Sequence, residues 1–158
     1  MVAIARSSVL VARASRGLCS SSRPFRSVGD VGHMTRIFTR DDVAAFAKLT
    51  GDDNPLHDNE SFAASHRFGG TVVHGMLYAS MFGAIIGQRA PGAVYLSQSL
   101  AFRRPVHLGD AVTAEVSVER VGRAGRLLDF ATRCTNEQGE LVLDGSARCL
   151  LPAAGEPG

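Results

Sequence analysis

No stretch of this 158-residue chain comes near 18 consecutive apolar residues, which argues against a membrane-spanning helix. Cysteine is scarce. Cys19, Cys134 and Cys149 stand at no metal-ligand spacing, and the last two fall in strand-like segments where a thiol reads as a small buried hydrophobe. Acids are missing from the first 29 positions, which hold Arg6, Arg13, Arg16, Arg23 and Arg26. All 15 acidic groups therefore face the other 12 basic ones over residues 30–158, a net −3 hidden beneath the overall +2. A mildly acidic body argues against a protein built around a nucleic-acid surface, which would need a clustered basic footprint. Hydrophobic residues at 45% and charged residues at 20% rule out a disordered chain, and the length suits one domain.

The acid-free segment 1–29 is Arg-spaced and rich in Ser and Ala, the composition of a cationic amphipathic mitochondrial presequence. Val2, Val9, Leu10 and Val11 alternate with Arg6, Arg13 and Arg16 on a helix, as import requires. A secretory signal would need a longer apolar run than Val9–Ala12, and a plain basic tail is the blander alternative. The reading divides the chain into a cleaved leader, 1–29, and one folded domain, 30–158. Cleavage is expected somewhere between about residues 19 and 30.

Beyond the leader, 32–38 reads as a strand. Thr39 and Asp42 form a capping box that opens a helix with Val43, Phe46 and Ala47 on its buried face. Gly51 and Pro55 end that helix, and a short helical turn spans 60–65. Residues 74–88, HGMLYASMFGAIIGQ, carry no charge, and Gly75, Ala79, Gly83 and Gly87 repeat every fourth position. Such a helix is expected to be enclosed on nearly every side, yet at about 22 Å it is too short to cross a bilayer. Strands follow over 93–104, 111–120, 128–134 and 141–151. Val112, Ala114, Val116 and Val118 alternate with Thr113, Glu115, Ser117 and Glu119, giving one wet face. The expected class is α+β: a curved antiparallel sheet wrapped around the long buried helix, the hot-dog fold. An exposed sheet edge and a half-covered helix predict a homodimer.

Two segments carry chemistry. Asp52 and His57 stand five residues apart in a loop stiffened by Pro55. On a continuous helix they would diverge by about 140°, but a bend at Asn54-Pro55 can bring them together on one water. One group taking a proton while the other gives one is what addition of water requires. Turn chemistry alone would also place Asp52 and Asn54 there, with His57 as a cap. In the second segment, Gly75 opens the apolar helix, so unpaired backbone N–H groups and the positive helix end could receive a developing oxyanion. The plainer alternative makes Gly75 a packing residue and His74 a cap or core histidine. His57, His66 and His74 fit no common metal-ligand spacing, so no metal is expected. Arg103-Arg104 reads as a solvated pair in preference to a phosphate contact.

Taken together, Phe46-Ala-Lys-Leu-Thr-Gly-Asp52-Asp53-Asn54-Pro55-Leu56-His57, then Ala63, and the later His74-Gly75-Met76-Leu77 run resemble the signature of MaoC-like (R)-specific enoyl-thioester hydratases. Similarity continues through 94–102 and 105–110. The resemblance implies that Asp52 and His57 bind the catalytic water and that the Gly75 amide meets the thioester oxygen. Asn54, His74 and Gly83 are implied as pocket residues. Some bacterial members carry Ser where this chain has Gly83, so the polar contact of that hydroxyl is not expected here. The implied activity is a cofactor-free hydro-lyase acting on acyl thioesters of acyl carrier protein or CoA in the mitochondrial matrix. The alternatives are a hot-dog thioesterase, disfavoured because 74–88 holds no acid, and a non-catalytic acyl-binding protein.

Overall fold

Period-two alternation builds most of the molecule. The computed structural model describes residues 23–153. It contains β1 (Val31–Ile37), α1 (Arg40–Thr50), α2 (Glu60–Ser65), α3 (Gly75–Arg89), β2 (Val94–Phe102), β3 (Ala111–Val121), β4 (Leu127–Thr135) and β5 (Leu141–Leu150). The strands form one antiparallel sheet in the order β1-β3-β4-β5-β2. Val112, Ala114, Val116 and Val118 on β3 and Leu128, Phe130, Thr132 and Cys134 on β4 face inward and are buried. Long α3 packs against β1 and β3. This is the expected α+β arrangement of a sheet around a central helix.

The capping box is present: Thr39 Oγ1 accepts from Asp42 N, and Asp42 Oδ2 accepts from Thr39 N at 2.9 Å. These bonds hold the Asp42 carboxyl below its ordinary range, with the Thr39 amide the largest cause. On β5 both Val142 and Leu143 are buried, breaking the alternation. The register shifts there, since Cys134 pairs Leu143 while Thr135 pairs Leu141, so Val142 is the extra residue of a bulge. Its carbonyl receives the amides of Arg103 at 2.9 Å and Arg104 at 3.4 Å, which fixes the exit of β2.

Two expectations change. Helix α3 buries Tyr78, Ala79, Met81, Phe82, Ile85, Ile86 and Arg89, but Met76, Ser80, Gly83, Ala84, Gly87 and Gln88 lie exposed. A Cβ at Gly83 or Gly87 would meet nothing within 4 Å. Glycine and alanine look apolar in a sequence yet carry little area to bury, so enclosure of that stripe gains little in a single chain. The second change concerns the amino-terminal segment. Phe25, inside the stretch read as leader, is 1% exposed and belongs to the hydrophobic core. The folded unit thus includes residues upstream of 30; positions 1–22 of the expected leader lie outside the described residues.

Candidate active site

The chemistry begins where α1 stops. Gly51 adopts a left-handed conformation (φ 78°) and donates to Ala47 O at 2.8 Å, a glycine cap that turns the chain sharply toward Asp52. Asn54 then organises the loop. Its Oδ1 accepts from Leu56 N at 3.1 Å, and its carbonyl accepts from His57 N at 3.0 Å. The loop is fastened to the segment entering α3, because Val72 N donates to Leu56 O at 3.1 Å and Val73 N to Val106 O at 2.8 Å.

This fastening sets the ring of His57. Nδ1 lies 2.7 Å from the Val72 carbonyl, and a carbonyl only accepts, so Nδ1 carries the proton. In that tautomer Nε2 is the nitrogen that keeps its lone pair free. His74 is 1% exposed and stacks on His57 with centroids 3.7 Å apart and planes 25° apart; Phe46 lies 5.1 Å away across a tilt of 55°. By the same logic His74 Nε2 donates to the Asp52 carbonyl at 3.0 Å. Its Nδ1 is buried with no hydrogen-bond partner. His74 therefore touches both members of the expected pair, a position that neither its spacing nor its type discloses in the sequence.

One side-chain ligand atom from each of Asp52, His57 and His74 falls within 4.8 Å of the others. A water making two hydrogen bonds of about 2.8 Å at a near-tetrahedral angle spans about 4.6 Å between its partners, so groups gathered within 4.8 Å of one another are close enough to share one water. A metal ion fits less well. The two rings lie nearly face to face, so their in-plane lone pairs run roughly parallel and do not converge as the ligands of a tetrahedral ion must. His66 stands apart as the C-cap of α2, its ring against Phe68.

The surrounding cleft has a volume of about 670 Å³ and includes Asp52, His57, His74 and Gly75 in its wall, a size suited to a small-molecule arm and acyl group. Asp52 is 52% exposed on its open side. No side chain caps the start of α3, and although Leu77 N donates to His74 O at 3.0 Å, the amides of Gly75 and Met76 remain available to a ligand. An ideal Cβ on Gly75 would lie 2.5 Å from Cε1 of Phe102. The close approach at Gly75 is thus made by an aromatic ring of β2. Phe102 is 50% exposed and meets Tyr78 edge-on at 6.0 Å. Burial pushes the Tyr78 phenol far above its ordinary value, so that wall stays uncharged.

Two expected pocket residues are not in the wall. Asn54 spends its side chain on the loop, a case of turn chemistry prevailing. Gly83 lies on the exposed face of α3, about 12 Å along the axis from Gly75 and about 80° around it. Conversely, Phe46, Phe68, Tyr78, Phe102 and Arg67 line the cleft although spacing gave no sign of it. Arg103 and Arg104 also line it and are not simply solvated. Arg103 clasps Asp144 at 2.6 and 3.2 Å, and Arg104 reaches Glu140 at 3.5 Å.

Known proteins resemble this chain over most of its length. The chain is 42% identical over 135 residues to a mitochondrial 3-hydroxyacyl-[acyl-carrier-protein] dehydratase of Arabidopsis thaliana, covering 84% of this chain and 81% of that protein. It is also 42% identical over 127 residues to an (R)-specific enoyl-CoA hydratase of Aeromonas caviae, covering 79% and 95%. The solved structure of an (R)-hydratase from A. caviae superposes with a TM-score of 0.77 at 41% identity, over 80% of this chain and 97% of that one. The MaoC-like domain matches residues 26–138. With that domain matched over more than half of its length, the chain belongs to the MaoC-like family.

Proposed function

We propose that the chain is a reversible hydro-lyase that removes water from (3R)-3-hydroxyacyl thioesters to give trans-2-enoyl thioesters. The observation that carries this is the gathering of the Asp52 carboxylate and the His57 imidazole within 4.8 Å, close enough to share one water, beside an uncapped helix start. In dehydration His57 Nε2 takes the C2 proton, the C3–O bond breaks, and the same proton leaves on the departing hydroxide as water. The Asp52 carboxylate accepts a hydrogen bond from that water and orients it. Negative charge that builds on the thioester oxygen is met by the Gly75 amide and the positive end of α3. Hydration runs the same path backwards.

The carrier is an acyl carrier protein or CoA, and both present a phosphate on a pantetheine arm. Three arginines on the cleft wall support this. Arg103 is engaged with Asp144, Arg104 only loosely with Glu140, and Arg67 stacks on Phe68 at 4.8 Å with no carboxylate partner among the described residues. The matrix of the mitochondrion is the proposed compartment, on the composition of the leader and the likeness to mitochondrial dehydratases. A homodimer is proposed on two open surfaces: the stripe of α3 at Met76, Ser80, Gly83 and Gly87, and edge strand β2 with Val94 and Leu96 exposed. Sedimentation at micromolar concentration should report twice the chain mass. The activity is tested by the loss of conjugated absorbance when a short trans-2-enoyl thioester is mixed with the protein; unchanged absorbance with a well-folded dimer overturns the reading.

A further inference from the structure

The amino-terminal side of β1 is built into the fold in a way that constrains how the leader can be removed. Phe25 fills a core position edge-on to Phe130, with ring centroids 5.1 Å apart. The guanidinium of Arg89, at the end of α3, lies 3.9 Å over the same ring. Arg89 is itself buried, so its donors need acceptors inside the protein. They are backbone carbonyls: Nε donates to Arg23 O at 2.7 Å, and a terminal nitrogen donates to Val31 O.

The groove is shaped for this plug. A Cβ on Gly32 would lie 2.8 Å from the Arg89 terminal nitrogen, 2.8 Å from Ile85 Cγ2 and 3.0 Å from Phe25 Cζ. Glycine at that position of β1 leaves the room that the ring and the guanidinium occupy. The connection to β1 is also fixed. Asp30 Oδ2 accepts from Arg26 N at 2.7 Å and from Ser27 N at 2.8 Å. Gly29 N donates to Val118 O, and Val118 N donates back to Asp30 O, each at 2.9 Å. Residues 23–30 are therefore a strap fastened to the core by Phe130 of β4 and by Arg89 at the end of α3.

Resting on the mitochondrial reading above, we infer that the leader is cut on the N-terminal side of Arg23, so that Arg23–Ser27 stays on the mature enzyme. The step is hydrolysis by an organellar processing endopeptidase: water adds across one peptide bond upstream of Arg23. A cut beyond Phe25 would leave a ring-sized void under Phe130. It would also strip the Arg89 Nε of its carbonyl while its charge stayed buried. The sequence alone allows any cut between about residues 19 and 30; the strap excludes the part of that window from Arg23 onward.

The test uses the full-length chain imported into isolated energised mitochondria, with the N-terminus of the recovered protein read by intact mass and terminal sequencing. The expected terminus lies at or before Arg23. A terminus at Pro24 or later, or import without cutting, overturns this inference and leaves the localisation standing. Failure to enter the organelle overturns both. In parallel, Phe25→Ala in the full-length chain should lower the melting temperature by about 10 °C. Phe25→Leu, which keeps most of the volume, should lower it by about half as much. If Phe25→Ala does not fold, the smaller drop for Phe25→Leu supports the strap. Wild-type melting for Phe25→Leu and Phe25→Ala alike refutes it.

Discussion

Gly75→Ala is the sharpest probe of how the site is assembled, because it keeps the backbone amide and adds one methyl group. That methyl would sit 2.5 Å from Cε1 of Phe102, whereas carbon atoms in contact rest about 3.5–4.0 Å apart. The ring must retreat by about 1 Å or more. It can, since it is the far end of a half-exposed side chain on an edge strand. In doing so it gives up its edge-on contact with Tyr78, worth about 0.5–1.5 kcal/mol, and repacks against the wall. The expected destabilisation is about 1–2 kcal/mol, within the usual range for overpacking. Activity should suffer more. Disturbing an oxyanion contact costs about 3–4 kcal/mol, roughly two to three orders of magnitude in kcat. Because the obstacle is the ring, Gly75→Ala/Phe102→Ala should recover to within about threefold of Phe102→Ala alone. The assay is enoyl-thioester hydration alongside thermal melting of the four proteins. A double variant as crippled as Gly75→Ala would refute the reasoning, since the methyl would then be obstructing something other than Phe102.

Three further outcomes are expected. His74→Leu should lower kcat by about 100-fold with a small change in KM, because misplacing Asp52 and His57 by about 1 Å is enough for that loss. His74→Gln, which can still donate to the Asp52 carbonyl, should restore most of it, and equal defects in both variants would make His74 a mere filler. Arg67→Ala should reduce kcat/KM about tenfold on a phosphopantetheine or CoA thioester and leave the phosphate-free pantetheine thioester unaffected; equal losses on both would remove the phosphate contact. Asp129 is gripped by Arg148 at 2.5 Å and by Arg120 at 2.6 Å, which holds its carboxyl below the ordinary range, the Arg148 hydrogen bond being the largest cause. A depressed carboxyl stabilises the fold above the unfolded value of about 3.9 and loses that contribution as pH falls through the folded value. The melting difference between wild type and Asp129→Asn should be full at pH 7 and vanish in strong acid. A difference that grows on acidification would contradict the sign.

What was legible in the sequence follows from how local each feature is. The alternation of β3 and β4, the Thr39–Asp42 capping box and the α2 turn at 60–65 depend on neighbours a few residues away, and all appear as expected. The Asp52–His57 loop was legible for the same reason, since Gly51, Asn54 and Pro55 bend it from within. What stayed hidden depends on contacts across the fold. Phe102 reaches Gly75 only because β2 ends over the start of α3. His74 meets Asp52 and His57 only because Val72 and Val73 tie two loops together. Asn54 is polar and adjacent to the pair, which no sequence rule distinguishes from a residue that serves the turn. Phe25 was hidden by its company, since a stretch of Arg and Ser sets the composition and one core aromatic cannot change it.

The central claim is that water is added across a double bond while the thioester survives. The most direct measurement follows one trans-2-enoyl thioester with two simultaneous readouts: conjugated absorbance and free thiol. Wild type should consume the absorbance and release no thiol. Asp52→Asn and His57→Gln should each be slower by about two to four orders of magnitude, with the double variant little worse than either, because the two act on one water. Release of thiol by the wild type, or near-normal hydration by either well-folded single variant, would contradict the account.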